Sequence, residues 1–222
     1  MRRFADRVEA GHRLAEALQQ YRGDQPLVLG LPRGGVPVGL EVARGIEAPL
    51  DVLVVRKIGA PGHAEFAVGA IAAGVTMLHD EVIDQLGISR ARLARTIQEE
   101  MLELERRNTL YRGKRPPVSV ENRTVIIVDD GLATGATATA AVRAIKRQHP
   151  RRVIFATPVG AAESVAALRA EADEVVCLET PDDFRAVSRW YDDFSPTSDT
   201  EVMECLAKAH TGAAVAGKEI AQ

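Results

Sequence analysis

Four branched apolar residues ending on two acids, Val125-Ile126-Ile127-Val128-Asp129-Asp130, constrain this chain more than any other stretch. The run does not alternate, so neither side of the segment can face water. That is the pattern of a strand within a parallel sheet covered by helices on both faces. Charged side chains cannot continue such a strand, and Asp129 and Asp130 therefore mark its carboxyl end. Gly131, Leu132, Ala133, Thr134 and Gly135 follow as a turn of mostly small residues, with a helix predicted to begin near Ala136 and Thr137. The free N–H groups of that first helical turn, together with Thr134 and Thr137, make an anion site suited to phosphate. Two carboxylates repel a phosphate unless sugar hydroxyls or a divalent cation lie between them. A ribose phosphate meets that condition.

A second strand-to-helix turn lies upstream. Leu27-Val28-Leu29 reads as a short buried strand, then Gly30-Leu31-Pro32-Arg33-Gly34-Gly35, then a helix predicted over 36–44 with Pro37 in its first turn. Open α/β sheets bind ligands outside the carboxyl ends of their strands, at the point where strand order reverses. Two such turns suit a ligand with phosphate at both ends. A third strand, expected over 50–55, ends on Arg56-Lys57. These cations either terminate the strand in solvent or meet the proposed polyanion, Lys57 as a mobile point charge. The glycine- and proline-containing stretch 58–66 is expected to be a loop able to close over a site, and 67–79 a hairpin about Ala73-Gly74.

Elsewhere the spacing predicts a packing helix over 4–21 with Asp6 as its cap. A long helical tract is predicted over 80–115, interrupted near Gly87-Ile88 and recapped by Ser89. Ala94, Ile97, Met101, Leu104, Asn108 and Tyr111 form a narrow seam on it, expected in a core or a subunit interface. Between Ser89 and Pro116 there are eight Lys or Arg against four Glu, a basic arm in an acidic protein. Strands over 152–158 and 174–178 flank a helix over 161–170. The expected fold class is α/β: a doubly wound, mainly parallel sheet with helices on both faces, plus a lid hairpin and a helical insertion.

A length of 222 residues with 46% hydrophobic content suits one domain, expected over 1–207 with the insertion at about 80–115, a C-terminal cap at about 179–207 and a disordered tail over 208–222. A net charge of -3 argues against a whole-surface grip on nucleic acid. Cys177 and Cys205 lack CxxC spacing, which indicates neither a disulfide framework nor a zinc site. The first residues carry no apolar signal core and no apolar run nears membrane-spanning length, so a cytoplasmic setting is expected. A kinase or NTPase would need a G-x-x-x-x-G-K-[ST] loop and a dehydrogenase G-x-G-x-x-G after a strand; the chain has neither.

VIIVDDGLATGATA resembles the phosphoribosyl-pyrophosphate (PRPP) motif of the type I phosphoribosyltransferases, and GLPRGG is similar to the loop that binds pyrophosphate in that family. The resemblance implies displacement of pyrophosphate from PRPP by a nitrogen nucleophile, a nucleobase above all, with Mg²⁺ as cofactor. Asp129 and Asp130 would hold the ribose diol and reach the metal through ligand hydroxyls and water. Arg33 and Lys57 would stabilise the leaving pyrophosphate, with Arg56, Gly34 and Gly35 also contacting substrate. Gly131 to Thr137 would cradle the other phosphate. The segment Glu179 to Phe194 is similar to the purine-type segment that carries a base-stacking aromatic, which makes Phe184 the stacking candidate, with Trp190, Tyr191 and Asp192 nearby. One departure is Ala133, where some purine-salvage members place an Asp as acid or base. Glu65 on the lid is the replacement candidate and His63 the second. A homo-oligomer, most simply a dimer, is expected. A PRPP-sensing regulatory module without turnover is the alternative function.

Overall fold

The computed structural model describes residues 3–61 and 63–219, the side chains of 63–66 and 211–219 excepted. Its centre is a five-stranded parallel sheet of β1 (Leu27–Gly30), β2 (Leu50–Val52), β6 (Thr124–Val128), β7 (Arg152–Val159) and β8 (Glu174–Glu179), in the order β2-β1-β6-β7-β8. The branched apolar run before the two acids is β6, the middle strand. Its side chains alternate between two cores. Ile126 and Val128, with Val28, Ile154 and Ala156, enter one; Val125 and Ile127, with Leu27, Leu29, Val153 and Phe155, enter the other. Both faces are covered, which explains why Val125 to Val128 include no polar position.

Helices α1 (Arg7–Ala17) and α2 (Gly35–Gly45) pack on the first face, with α7 (Asp199–Glu219) against α2. On the second face lie α5 (Ala136–Lys146) and α6 (Ala162–Leu168). The caps expected from sequence are present. Asp6 accepts from the N–H groups of Val8 and Glu9 at the start of α1. Ser89 accepts from Arg92 at the start of α4 (Arg90–Arg112), which follows α3 (Asp80–Gln85) after a break at Gly87-Ile88. Chain order and sheet order together locate the crevice. From β1 the chain adds β2 on one side, then crosses to place β6 on the other, so strand order reverses between β1 and β6.

Four elements differ from the sequence reading. The strand expected over 50–55 stops at Val52: the Leu53 N–H to the Gly30 carbonyl, at 3.0 Å, is the last rung of its ladder, because its partner β1 ends at Gly30. A separate antiparallel sheet follows: β3 (Val55–Ala60), β4 (His63–Ala72) and β5 (Val75–Leu78). The stretch 58–66, expected as a loop, is thus mostly paired strand with register shifts at Ile58/Gly59 and Gly59/Ala60. Burial of Ile58, Ala60 and Val68 in the core beneath α4 outweighs the glycine and proline content. The hairpin about Ala73-Gly74 forms as expected, both residues at positive φ of 50° and 77°, the geometry that closes two-residue hairpins. On α4 the buried residues are Leu93, Leu104 and Tyr111, whereas Ala94 and Met101 of the expected seam are exposed, because the helix leans its Leu93-Leu104 side on β3 and β4. Finally, α7 carries the backbone to Glu219, so the segment from Lys208, expected as a disordered tail, is helical to that point. Its alanines favour that state.

The last turn of α4 is fixed to the sheet by an enclosed ion pair. Arg112 Nε donates to both oxygens of Asp51 on β2, at 2.9 and 3.1 Å, while its Nη1 donates to Asn108 and its Nη2 to the Val52 carbonyl. The side chains are only 13% and 7% exposed. Removing one partner strands a buried charge, at a cost of about 3–5 kcal/mol. Arg112→Met is therefore expected to lower the free energy of unfolding read from urea titration by that order, far more than Arg106→Met, whose pair with Glu103 is on the surface.

Candidate active site

The two strand-to-helix turns meet at the carboxyl ends of β1 and β6. Leu31 N–H donates to the Val128 carbonyl at 2.8 Å, which carries the β1 loop across the end of β6. Gly34 and Gly35 then pass so close to the acids that no side chain fits. A Cβ on Gly34 would lie 1.9 Å from Asp130 Oδ2, and one on Gly35 2.5 Å from the Val128 carbonyl and 2.8 Å from Asp129 Cα. The pyrophosphate-type loop and the acidic pair are therefore two walls of one crevice. Gly34 caps α2 without a side-chain bond, and Gly135, at φ 75°, caps α5 without one. At α5 the first N–H groups are thus left without a side-chain cap, whereas in α2 the N–H groups of Gly35 and Val36 donate to the Leu31 and Arg33 carbonyls at 3.0 and 3.2 Å and Pro37 has none.

The loop after the acids is pinned from the neighbouring strand. Leu132 N–H donates to Val159, Ala161 N–H to Leu132, and Ser164 Oγ to the Ala133 carbonyl at 2.5 Å. Leu132 is buried as an anchor, while Ala133, Thr134 and Ala136 are exposed, and Gly131, Gly135 and Thr137 half-buried. A Cβ on Gly131 would strike Val187 at 2.3 Å, so the 3₁₀ turn Val187–Trp190 sits directly on this loop.

The acids themselves are electrostatically unfavourable. Asp129 Oδ1 accepts the Asp130 N–H at 2.9 Å, and Asp130 Oδ2 accepts Arg7 Nε at 2.8 Å. Burial, and then the charge of Asp130, hold the Asp129 carboxyl well above the usual carboxylate range. Burial also raises Asp130, against the opposing pull of Arg7. Arg7 was not a sequence candidate, and nothing in the spacing of residues 123 positions apart marks it. Tyr191, placed by the sequence reading near a base, is instead buried with its hydroxyl donating to the Asp130 carbonyl at 2.6 Å; burial and the two acids push its phenol up. Phe4, Tyr191, Phe194 and Arg7 form one cluster, the Arg7 guanidinium lying 4.1 Å over the Phe194 ring.

The cations separate. Arg56 is committed to Glu100 on α4 at 2.7 Å, so its assignment to substrate is displaced by a structural partner. Lys57 points to the opposite face of β3 by strand alternation and is exposed, as is Arg33. Neither makes an ion pair among the described residues. Phe184 is half-buried against the cluster containing Val187 and Trp190, beside a pocket of about 340 Å³ lined by Arg3, Asp183, Arg189 and Trp190. The backbone of Glu65 and His63 belongs to β4, but their side chains lie outside the described residues. Among the described residues no three His, Cys, Asp or Glu gather as a metal cage. The hard oxygens of Asp129 and Asp130 suit Mg²⁺ only where a bound ligand supplies further oxygens, the usual manner for that ion.

A doubly wound sheet with paired acids and two glycine turns at its switch point is the architecture of an open α/β protein with a crevice at the carboxyl ends of its strands. The chain belongs to the phosphoribosyl transferase domain family, whose model matches residues 6–195. It is 45% identical over 218 residues to proteins provisionally named phosphoribosyl transferases in two Mycobacterium tuberculosis strains; the match covers 98% of this chain, which spans 49% of their length. The crystal structure of TT1426 from Thermus thermophilus is 44% identical, with a TM-score of 0.83 over 94% of this chain and 99% of that one. A hypothetical protein from Neisseria gonorrhoeae with bound ppGpp shares the fold at 12% identity and a TM-score of 0.51, covering 93% of this chain and 92% of that one. No described helix is long and apolar enough to cross a membrane.

Linkage sets the sign of a prediction for the ligand-free protein. A carboxyl raised in the fold leaves stability intact below the unfolded value of about 4, and removes it as pH climbs through the folded value. Asp129→Asn is therefore expected to raise the melting temperature at pH 7. That gain should fade as the pH falls to about 4, read by calorimetry across the range.

Proposed function

We propose that this chain transfers the 5-phosphoribosyl group of PRPP to a nitrogen nucleophile, a nucleobase in the first instance, and releases pyrophosphate. The observation that carries the reading is the approach of Gly34 and Gly35 to Asp129 and Asp130, which joins a diol-binding pair to the glycine turn that enters α2. The 5-phosphate would rest on the α5 amino terminus with Thr134 and Thr137, and the pyrophosphate on Gly34, Gly35, Arg33 and Lys57. Asp129 and Asp130 would hold Mg²⁺ through ligand oxygens and water, and the ion would supply neutralisation of charge on the pyrophosphate. The remaining chemistry falls to the chain. Asp129 and Asp130 orient the sugar and favour positive charge growing on its ring, while the cations stabilise the departing anion.

The half-buried Phe184 and the adjoining pocket mark the acceptor end. Glu65 is the proposed proton-transfer group, since Ala133 leaves the loop without one. Exposed Met101 and Leu102, 42% and 60% accessible, support self-association through α4. The residues beyond this chain in its relatives leave the whole protein's activity a matter for assay.

The test is a screen of nucleobases and small amines with PRPP and Mg²⁺, scored by pyrophosphate release. At least one acceptor is expected to give turnover. Tight PRPP binding with turnover on none would assign the chain to the sensing alternative. In the active pair, Lys57→Ala is expected to lower kcat by about 10²-fold or more, the scale of losing one transition-state donor. Arg56→Ala should cost much less. Glu65→Gln should cut kcat with PRPP affinity nearly intact.

A further inference from the structure

Asp130 is held from both ends of the domain. Arg7, the first residue of α1, gives Nε to Asp130 Oδ2 at 2.8 Å and Nη1 to the Ser195 carbonyl at 2.8 Å, with its guanidinium on the Phe194 ring. The two side chains are 12% and 15% exposed, so water screens this pair far less than a surface bridge. Gly34 closes the other side. A Cβ there would meet Asp130 Oδ2 at 1.9 Å and Arg7 Nε at 3.1 Å. The backbone oxygen of Asp130 is taken as well, by the Tyr191 hydroxyl. Among the described residues, only Oδ1 remains as an acceptor atom on that carboxylate without a hydrogen bond to the N- or C-terminal segments.

We infer that Arg7 is a positioning residue for the ribose grip: it engages one oxygen of Asp130, fixes the presentation of the other to a sugar diol, and couples that presentation to the seating of the segment 190–195. The inference rests on the phosphoribosyl reading above. A guanidinium suits this task because its planar fork reaches the acid and the Ser195 carbonyl at once while stacking on an aromatic ring, which an ammonium cannot do. A purely structural bridge would have a different signature. It would weaken every ligand of the crevice together, since both anion cradles share the same wall.

The experiment is calorimetric titration of the full chain, with Mg²⁺, by PRPP, by ribose 5-phosphate and by inorganic pyrophosphate, in the native protein, Arg7→Met and Arg7→Lys. Arg7→Met is expected to weaken PRPP and ribose 5-phosphate by about ten- to a hundredfold, the scale of one charge-assisted hydrogen bond, and to leave pyrophosphate within about twofold. Arg7→Lys should fall between. Equal affinities in the native and Met forms, tighter sugar binding in the Met form, or parallel loss of sugar and pyrophosphate would each overturn the inference. Should Arg7→Met fail to fold, Arg7→Lys decides by the same split: selective sugar loss supports the role, and native-like or parallel behaviour removes it. A native protein that binds no PRPP sinks the phosphoribosyl reading and this role with it, whereas native binding indifferent to Arg7 sinks only the role.

Discussion

Two carboxylates on consecutive residues, directly after four buried apolar positions of one strand, are the interaction around which the rest is arranged. Asp129 and Asp130 gain little from the fold: one backbone N–H, one guanidinium and a raised cost of ionisation. Such a pair survives because the surroundings over-determine it. The sheet beneath is sealed in two cores, and each fully buried branched side chain there contributes roughly 1.5–3 kcal/mol. The charge strain is thus local, and a ligand that brings hydroxyls and a hard cation would relieve it. That is the usual relation between a strained site and its function.

The glycines at 34 and 35 show the same logic in steric form. They are not there for unusual dihedral angles, since Gly34 sits at an ordinary φ of -64°. They are there because the wall of one loop is the floor of the other, and a methyl group would separate them. The α5 cradle uses its glycine differently: Gly135 takes a left-handed φ of 75°, which lets the chain turn from the acids into the helix.

What could be read from residues alone followed from how local each feature is. The apolar run, its acids and the start of the helix after them lie within fourteen consecutive positions, and local chemistry decides all three. The caps Asp6 and Ser89 were legible for the same reason. Strand β3 was not, because Leu53 and Val54 are as apolar as β2 itself and only the end of the partner strand β1 at Gly30 stops β2. The fate of Arg56 followed from that error, since its partner Glu100 lies 44 residues on. Arg7 and Tyr191 were least legible, one read as a helix residue and the other as a base neighbour. Both act on Asp130 across separations that no periodicity spans.

The N-terminal segment is stitched to the cap by backbone as well as side chains: Phe4 N–H donates to Trp190, and the N–H groups of Asp192 and Asp193 donate back to Phe4 and Ala5. Arg7 reaches Ser195 across 188 positions of chain. During synthesis, which releases the N-terminus first, the sheet's strands through β8 are all available before this stitch can close. The crevice is therefore completed after the sheet, and a nascent chain carries its acids in an unfinished setting until α7 is being made.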